Sequence, residues 1–219
     1  MHKLIKKARD FASEAHYGQL YGDDLPYTHH LYMVDRELTK AGVRSSVLRS
    51  AAWLHDVIED TPVTQAEVRR EFGAEIADIV QRLTNPLGGN RAWRHSQSYP
   101  KIADHPGATT VKLADRCANI IHGVRTKSSL VSMYIREHDK FLDAMLPMSS
   151  WQLSPDTDSY SKSKYRFHGS VQKLRYRLVI EIMSSPIIFG WHILDNGPAV
   201  DTSEFLLSGH DRKSIGDRK

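Results

Sequence analysis

Trp53-Leu54-His55-Asp56-Val57-Ile58-Glu59-Asp60-Thr61 sets a histidine and three acids inside an apolar run. At a helical period His55 lies under Glu59 and Asp56 under Asp60, so the spacing predicts one continuous helix through the stretch. A His-Asp dipeptide offers one nitrogen and one carboxylate ligand to a divalent metal, and a Glu-Asp pair one turn on can orient or deprotonate an attacking water. That is a hydrolase layout. Standing alone, the same letters describe a buried helix with a solvated acidic face, because short motifs recur by chance. The flanking sequence decides between the two.

Working outward, Leu4, Ala8, Phe11 and Ala15 predict a first helix ending near Tyr17-Gly18, followed by a loop from Gln19 to Tyr27. A second helix starts at Thr28 or His29, buries Val34 and Leu38, and stops at Gly42, a natural left-handed cap. Ser45 or Ser46 caps the third helix, which carries Val47, Leu48, Ala51, Ala52 and the opening stretch. Thr64-Gln65-Ala66-Glu67 is a capping box, with its helix ending at Gly73. Ile76, Ile79, Val80 and Leu83 mark the next helix, closed by Asn85-Pro86 and the Gly88-Gly89 loop. Asn90 to Lys101 reads as a basic polar segment, and Pro106-Gly107 as a break. Thr109 or Thr110 then caps a helix over Val111–Ile121, and Leu130 to Met145 reads as a last long helix. The expected fold is all-α.

The 219 residues suffice for one well-cored domain with an extension, and 40% hydrophobic with 26% charged residues is an ordinary globular balance. No apolar run reaches the ~18 residues of a membrane span, and Met1-His2-Lys3-Leu4 opens no signal-peptide core. The lone Cys117 rules out an internal disulfide and a cysteine-rich zinc site, so the expected compartment is the cytoplasm. Lys and Arg outnumber Asp and Glu by 20 to 18 over residues 1–149 and by 10 to 8 over 150–219. So even a spread suits a phosphorylated small substrate in a local basic pocket better than a long duplex, leaving RNA as the other partner the charge allows.

The pattern degrades beyond Pro147. Residues 150–170 read as a linker rich in Ser, Asp and Lys, Val171 to Met183 as a helix with Leu174, Leu178 and Ile182 in register, and Ile187 to Leu194 as strand or extended chain. The expected organisation is a helical domain over 1–149 and an extension over 150–219, frayed from Ser208.

Beyond the opening stretch, Tyr27-Thr28-His29-His30 opens one predicted helix, and Val111-Lys112-Leu113-Ala114-Asp115-Arg116 with Asn119 lies on another. This order of His, His-Asp, Glu-Asp and Asp resembles the HD metal-dependent phosphohydrolase superfamily. More closely, it is similar to the hydrolase domain of RelA/SpoT-type enzymes and their small stand-alone alarmone hydrolase relatives. Pro26-Tyr27 before His30, Leu54 to Thr61, Phe72-Gly73, and Val111 to Arg116 with Asn119 carry the likeness over about residues 4–146. The resemblance implies an HD-domain helical bundle in which His30, His55, Asp56 and Asp115 bind one divalent metal, manganese in this family. Glu59 and Asp60 would position and activate the attacking water. Mixed imidazole and carboxylate ligation suits such an ion.

Each assignment has a plainer reading. His29 is the alternative ligand to His30. Asp115 could be a surface acid, but it sits between Leu113-Ala114 and Cys117-Ala118, where an unpaired carboxylate would be costly. Asn119 either reaches the substrate's ribose or phosphate, or braces the Asp115 ligand. Cys117 reads as a small core residue. Arg91, Arg94, Lys112 and Arg116 are the candidate phosphate contacts, against a solvated loop face for the first two.

One departure from the pattern concerns the nucleotide. Alarmone hydrolases usually carry an Arg-Lys pair before the Pro-Tyr dipeptide, and Tyr21-Gly22 stands in that place here. Tyr21 can stack on a base but brings no charge. The expected activity is removal of the 3′-diphosphate of guanosine tetra- or pentaphosphate, releasing pyrophosphate. Hydrolysis of another nucleotide or a phosphorylated cofactor at the same metal site is the alternative. A more distant reading takes residues 160–177, basic and aromatic without an acid, as a single-stranded RNA surface. The plainer one is a tail that packs on the core or mediates self-association.

Overall fold

Fourteen of the twenty-one residues of the helix Pro106–Thr126 are buried, on every side of its axis. A helix apolar all round belongs at the centre of a domain. In a computed structural model this helix is α8, and the helices around it fix the site. The structure describes residues 2–22 and 24–145 together with Lys173, Leu174, Arg177 and Leu178, all within one compact unit, Met1–Ser184. The chain runs α1 (Lys3–Ala15), a hairpin of β1 (Leu20–Tyr21) and β2 (Leu25–Pro26), α2 (Thr28–Lys40), α3 (Ser46–Leu54) and α4 (Val57–Asp60). It continues through α5 (Gln65–Phe72), α6 (Ala74–Leu83), α7 (Arg91–Ala103), α8, α9 (Leu130–Arg136) and α10 (His138–Met145). The architecture is an all-α bundle, as expected. Helices α2, α3, α6 and α7 pack on α8, while α1 packs on α3, and α5 on α6.

Local signals set many of the boundaries. Gly42, at φ 89°, follows α2 while Gly42 N–H donates to Thr39 O and Val43 N–H to Leu38 O, the paired bonds of a Schellman end. Ser45 Oγ accepts from Leu48 N–H at the start of α3, and Thr64 with Glu67 forms the expected capping box. Between α2 and α3 the link is ionic. Asp35, 7% exposed, accepts two bonds from Arg49 at 2.6 and 2.9 Å and one from Trp53 Nε1 at 3.2 Å. That clamp fixes the helix bearing His30 against the one leading to His55.

Five expectations are corrected. The stretch from Trp53 to Thr61 is not one helix, because α3 ends at Leu54 and α4 starts at Val57, with Asp56 at φ −103°, ψ −4° between them. In a continuous helix neighbouring side chains diverge by about 100°, so the break lets His55 and Asp56 face one point. The Gln19–Tyr27 loop contains a short antiparallel ladder, Leu20 opposite Pro26 and Tyr21 opposite Leu25. Asn90 to Ala103 forms a helix, capped by Asn90 Oδ1 accepting from Trp93 N–H at 2.9 Å. Pro106 starts α8 rather than breaking the chain, since proline at the first helical position loses no needed donor, and His105 is the cap. Thr109 and Thr110 lie inside that helix, bonded to Ile102 O and Pro106 O. The segment from Leu130 to Met145 is two helices divided at Glu137.

Beyond Met145, Leu174 and Leu178 are buried, and Cys117 Sγ donates to Leu174 O at 3.6 Å. Arg177 pairs with the buried Glu37 at 3.3 Å. These residues pack on the core, in the register expected of a helix. The other readings made for 150–219 (linker, strand, frayed end, and most of the basic-aromatic span) lie outside the described residues.

Candidate metal centre

Four candidate ligand side chains from three places in the bundle come together, three of them, His30, His55 and Asp56, with atoms all within 4.8 Å of one another. His30 comes from the first turn of α2, His55 and Asp56 from the break after α3, and Asp115 from the middle of α8. His55 Nε2 lies 2.9 Å from Asp56 Oδ2, and His30 Nε2 lies 3.3 Å from Asp115 Oδ1 and 3.6 Å from Asp56 Oδ2. The two Nε2 atoms face each other at 3.3 Å, and His55 Nε2 stands 3.9 Å from Asp115 Oδ1. Among the described residues, His30, His55 and Asp56 form the group whose spacing could hold a metal ion. It is His30 that projects here, while the His29 ring lies 6.4 Å from that of His122.

The donor set fits a divalent cation. His55 Nδ1–H donates to Ala52 O at 2.9 Å, which turns the Nε2 lone pair inward. Two imidazole nitrogens pointing at each other with two carboxylates beside them repel unless positive charge sits between. The same excess shows in the acid-base balance. Burial works against an imidazolium at His55, yet the Asp56 carboxylate outweighs it and lifts the group to about 9. Burial likewise raises the acids Asp56 and Asp115. His55 overrides it at Asp56, and Lys112 at Asp115, holding both below the usual carboxylate range.

A ring of partners holds these ligands. Tyr27 Oη donates toward Asp56 Oδ2 at 2.7 Å and Asp60 Oδ2 at 3.1 Å, joining a ligand to an acid of α4. Lys112 Nζ donates to Asp115 Oδ2 at 2.8 Å, and Asn119 Nδ2 to Asp115 Oδ1 at 2.6 Å. Glu59 is gripped by Asn85 through its backbone N–H at 2.9 Å and its side-chain amide at 3.1 Å, and Ser98 Oγ donates to Asn85 Oδ1 at 2.8 Å. Burial and the neighbouring Asp56 raise the Asp60 carboxyl. An acid whose pKa moves up is a better proton acceptor when ionised.

The candidate substrate contacts are placed differently from one another. Arg91 forms a two-bond pair with Glu137 at 2.9 and 3.1 Å. Arg116 is 4% exposed, 3.4 Å from the same carboxylate, and it lies against the rings of Tyr134 and Phe141. With Lys112 on Asp115, three of the four cations already face protein carboxylates. Only Arg94 carries no ion pair among the described residues. Tyr21 is half-buried and already has two ring neighbours, His30 at 4.8 Å and His122 at 4.3 Å, which compete with a base for its faces. Cys117 is buried in the core.

Known proteins share this chain's sequence and fold. Residues 8–101 match the model of an HD domain. Guanosine-3′,5′-bis(diphosphate) 3′-pyrophosphohydrolase MESH1 of Mus musculus is 39% identical over 121 residues, 53% of this chain and 67% of that protein. The chain belongs to the HD-domain family of guanosine-3′,5′-bis(diphosphate) 3′-pyrophosphohydrolases. The MESH1 of Homo sapiens is 38% identical over the same shares. The pyrophosphohydrolase of Aquifex aeolicus is 31% identical over 53% of this chain but 17% of its own length. A solved structure described as a metazoan ortholog of SpoT that hydrolyzes ppGpp superposes with a TM-score of 0.65 at 19% identity, covering 84% of this chain and 96% of that one. The fold is therefore the HD helical bundle, and a divalent metal is implied by it.

Three residues of this HD centre were not singled out by sequence. Tyr27 was visible only as half of the Pro-Tyr pair, and Asn85 only as a helix terminator. Glu137 lies 46 residues from Arg91, too far for any periodicity to connect them. Asn85 carries a specific expectation. Removing its amide in Asn85→Ala leaves Glu59 the backbone bond alone, and a charge-assisted bond contributes about 1.5–3 kcal/mol. A fall in kcat of about tenfold with KM little changed is expected in steady-state assays. An unchanged kcat would show that Glu59 needs no such support.

Proposed function

We propose that this protein hydrolyses the 3′-diphosphate of guanosine tetra- or pentaphosphate, releasing pyrophosphate, with manganese as its metal and the cytoplasm as its place of work. The observation that carries the reading is the meeting of His30, His55, Asp56 and Asp115 at one point with Glu59 and Asp60 on the adjoining turn. That relatives at 31–39% identity bear this activity in their names supports it.

When bound by those four residues, a divalent ion polarises a phosphoryl oxygen and makes water more acidic. The chain supplies the rest. Asp60, raised in pKa and oriented by Tyr27, takes a proton from the attacking water, and Glu59, held by Asn85, orients that water. The water oxygen bonds to the phosphorus that carries the ribose 3′-oxygen, that P–O bond breaks to release pyrophosphate, and the departing 3′-oxygen takes a proton from solvent while Asp60 returns its own to solvent. Lys112 and Arg116 set a positive field beside Asp115, and Arg94 is the cation left to grip a phosphate directly. Arg91 joins it when Glu137 lets go.

The enclosure of Tyr21 and the missing side chain at Gly22 favour a second reading, in which the same centre acts on another nucleotide or a phosphorylated cofactor. A panel of nucleotides with manganese separates them. Pyrophosphate release from guanosine tetraphosphate, lost with a chelator and restored by Mn2+, is the expected result. Turnover of a different nucleotide in its place would transfer the chemistry to that substrate.

A further inference from the structure

Tyr21 belongs to the hairpin, yet its side chain reaches the metal centre. Its ring has His30 at 4.8 Å, His122 at 4.3 Å and, edge to face, Tyr27 at 6.2 Å. Its hydroxyl donates to Asn119 Oδ1 at 3.0 Å, and Asn119 Nδ2 donates to Asp115 Oδ1 at 2.6 Å. Gly22 beside it, at φ 66°, sits close to α8: a Cβ there would stand 3.0 Å from His122 Nε2, so a side chain would strain the backbone and push the imidazole aside. The hairpin is closed against α8 at this point.

The chemistry of the amide gives this chain of bonds its direction. A side-chain amide presents either its oxygen or its NH2 to a neighbour, and only the NH2 can bond an ionised carboxylate. Asp115, ionised, can only accept, so it takes the NH2 and leaves Asn119 Oδ1 to accept from the Tyr21 hydroxyl, whose bond holds the amide in that orientation. Asp115 itself can rotate about its last torsion unless both oxygens are tied. Lys112 holds Oδ2 and Asn119 holds Oδ1. The phenol thus locks the amide, the amide locks the carboxylate, and the same ring limits the tilt of His30.

We infer that Tyr21 is a positioning residue for the metal centre, orienting Asp115 through Asn119 and bracing His30, and is not a contact for the nucleobase. The inference rests on the metal reading of the site proposed above. Partners one bond removed from a ligand typically change metal affinity by about 10–100-fold.

The test is the affinity of the metal-free protein for Mn2+, measured by calorimetry for wild type, Tyr21→Phe, Asn119→Ala and the double variant, alongside KM and kcat. Tyr21→Phe keeps the ring, so circular dichroism and Tm are expected to match wild type. Its Mn2+ Kd is expected to rise by about tenfold. The double variant should bind no more weakly than Asn119→Ala alone, since both changes cut one chain. A Tyr21→Phe protein with wild-type Mn2+ affinity and a raised KM would overturn the inference and make Tyr21 a substrate contact. Full additivity in the double variant would overturn the route through Asn119. A wild-type protein that binds no Mn2+ would overturn this inference together with the metal reading, whereas an unaffected variant of a metal-binding wild type overturns this inference alone.

Discussion

Asp56→Ala is expected to abolish measurable pyrophosphate release while leaving the fold intact. Asp56 touches both histidines and the tyrosine of the centre, at 3.6 Å from His30 Nε2, 2.9 Å from His55 Nε2 and 2.7 Å from the Tyr27 hydroxyl. Its loss removes a ligand, releases Tyr27 from one of two acids, and leaves His55 without the neighbour that raises it. Supporting residues alone change metal affinity by about 10–100-fold, so a ligand should exceed that. Losing the proton acceptor's alignment as well adds part of the ~10²–10⁴-fold range of acid-base catalysis. Together these put activity at or below about a thousandth of wild type. The fold should survive at a modest cost: His55 overrides burial at this carboxyl, so its charge contributes stability that is lost, while its removal relieves repulsion with Asp115. Single-turnover pyrophosphate release at saturating Mn2+, with Tm as the control, checks both halves. A variant retaining a tenth of wild-type kcat would remove Asp56 from the ligand set.

Glu137→Ala is expected to give the largest loss of stability of any change outside the apolar core. The carboxylate sits in the break between α9 and α10 and faces two guanidinium groups, one of which, Arg116, is 4% exposed. Burial lowers the Arg116 pKa, the mark of a charge held against its solvation preference. Removing one partner of a fully buried pair costs about 3–5 kcal/mol. Arg91 and Glu137 remain partly solvated, so screening brings the expected loss to about 2–4 kcal/mol. At roughly 2–4 °C per kcal/mol for a domain of this size, Tm should fall by about 5–15 °C. Inorganic phosphate should recover part of the loss in the variant and little in wild type, because two unpaired arginines a short distance apart form an anion site. Equal Tm for variant and wild type, with or without phosphate, would show that the tyrosine and phenylalanine faces suffice for Arg116.

Of the four candidate ligands, His55-Asp56 and Asp115 stand out in the sequence because they interrupt the apolar runs Leu54 to Val57 and Ala114 to Cys117, whereas His30 follows only from the family resemblance. A charged group in such a place needs a partner, and a shared cation is the economical one. The break at His55-Asp56 was not legible, since Trp53 to Ile58 is apolar on both sides and a period of 3.6 continues through it unchanged. The helix α7 was hidden by composition. Only Ser98 and Ile102 are buried along it and Pro100 lies inside it, so neither an apolar stripe nor propensity marks it. Pro106 misled in the opposite sense, as the same residue breaks a helix from within and begins one from its first turn. What the cations bind was invisible for a different reason. Arg91 and Arg116 find Glu137 across the tertiary fold, and charge patterning along the chain reports nothing at that separation.

The two halves of the centre differ in how the protein holds them. Asp115 and Asn119 ride on α8, buried on all sides, whose amides should exchange with solvent only when the whole bundle opens. Tyr21 rides on a hairpin of two-residue strands in which Leu20 is 60% exposed and Leu25 36%. Hydrogen exchange there should proceed by local opening at a small fraction of that free energy. On warming, the hairpin will leave α8 well before the domain melts, and catalysis will fade while the circular dichroism of the helices is still that of the native state.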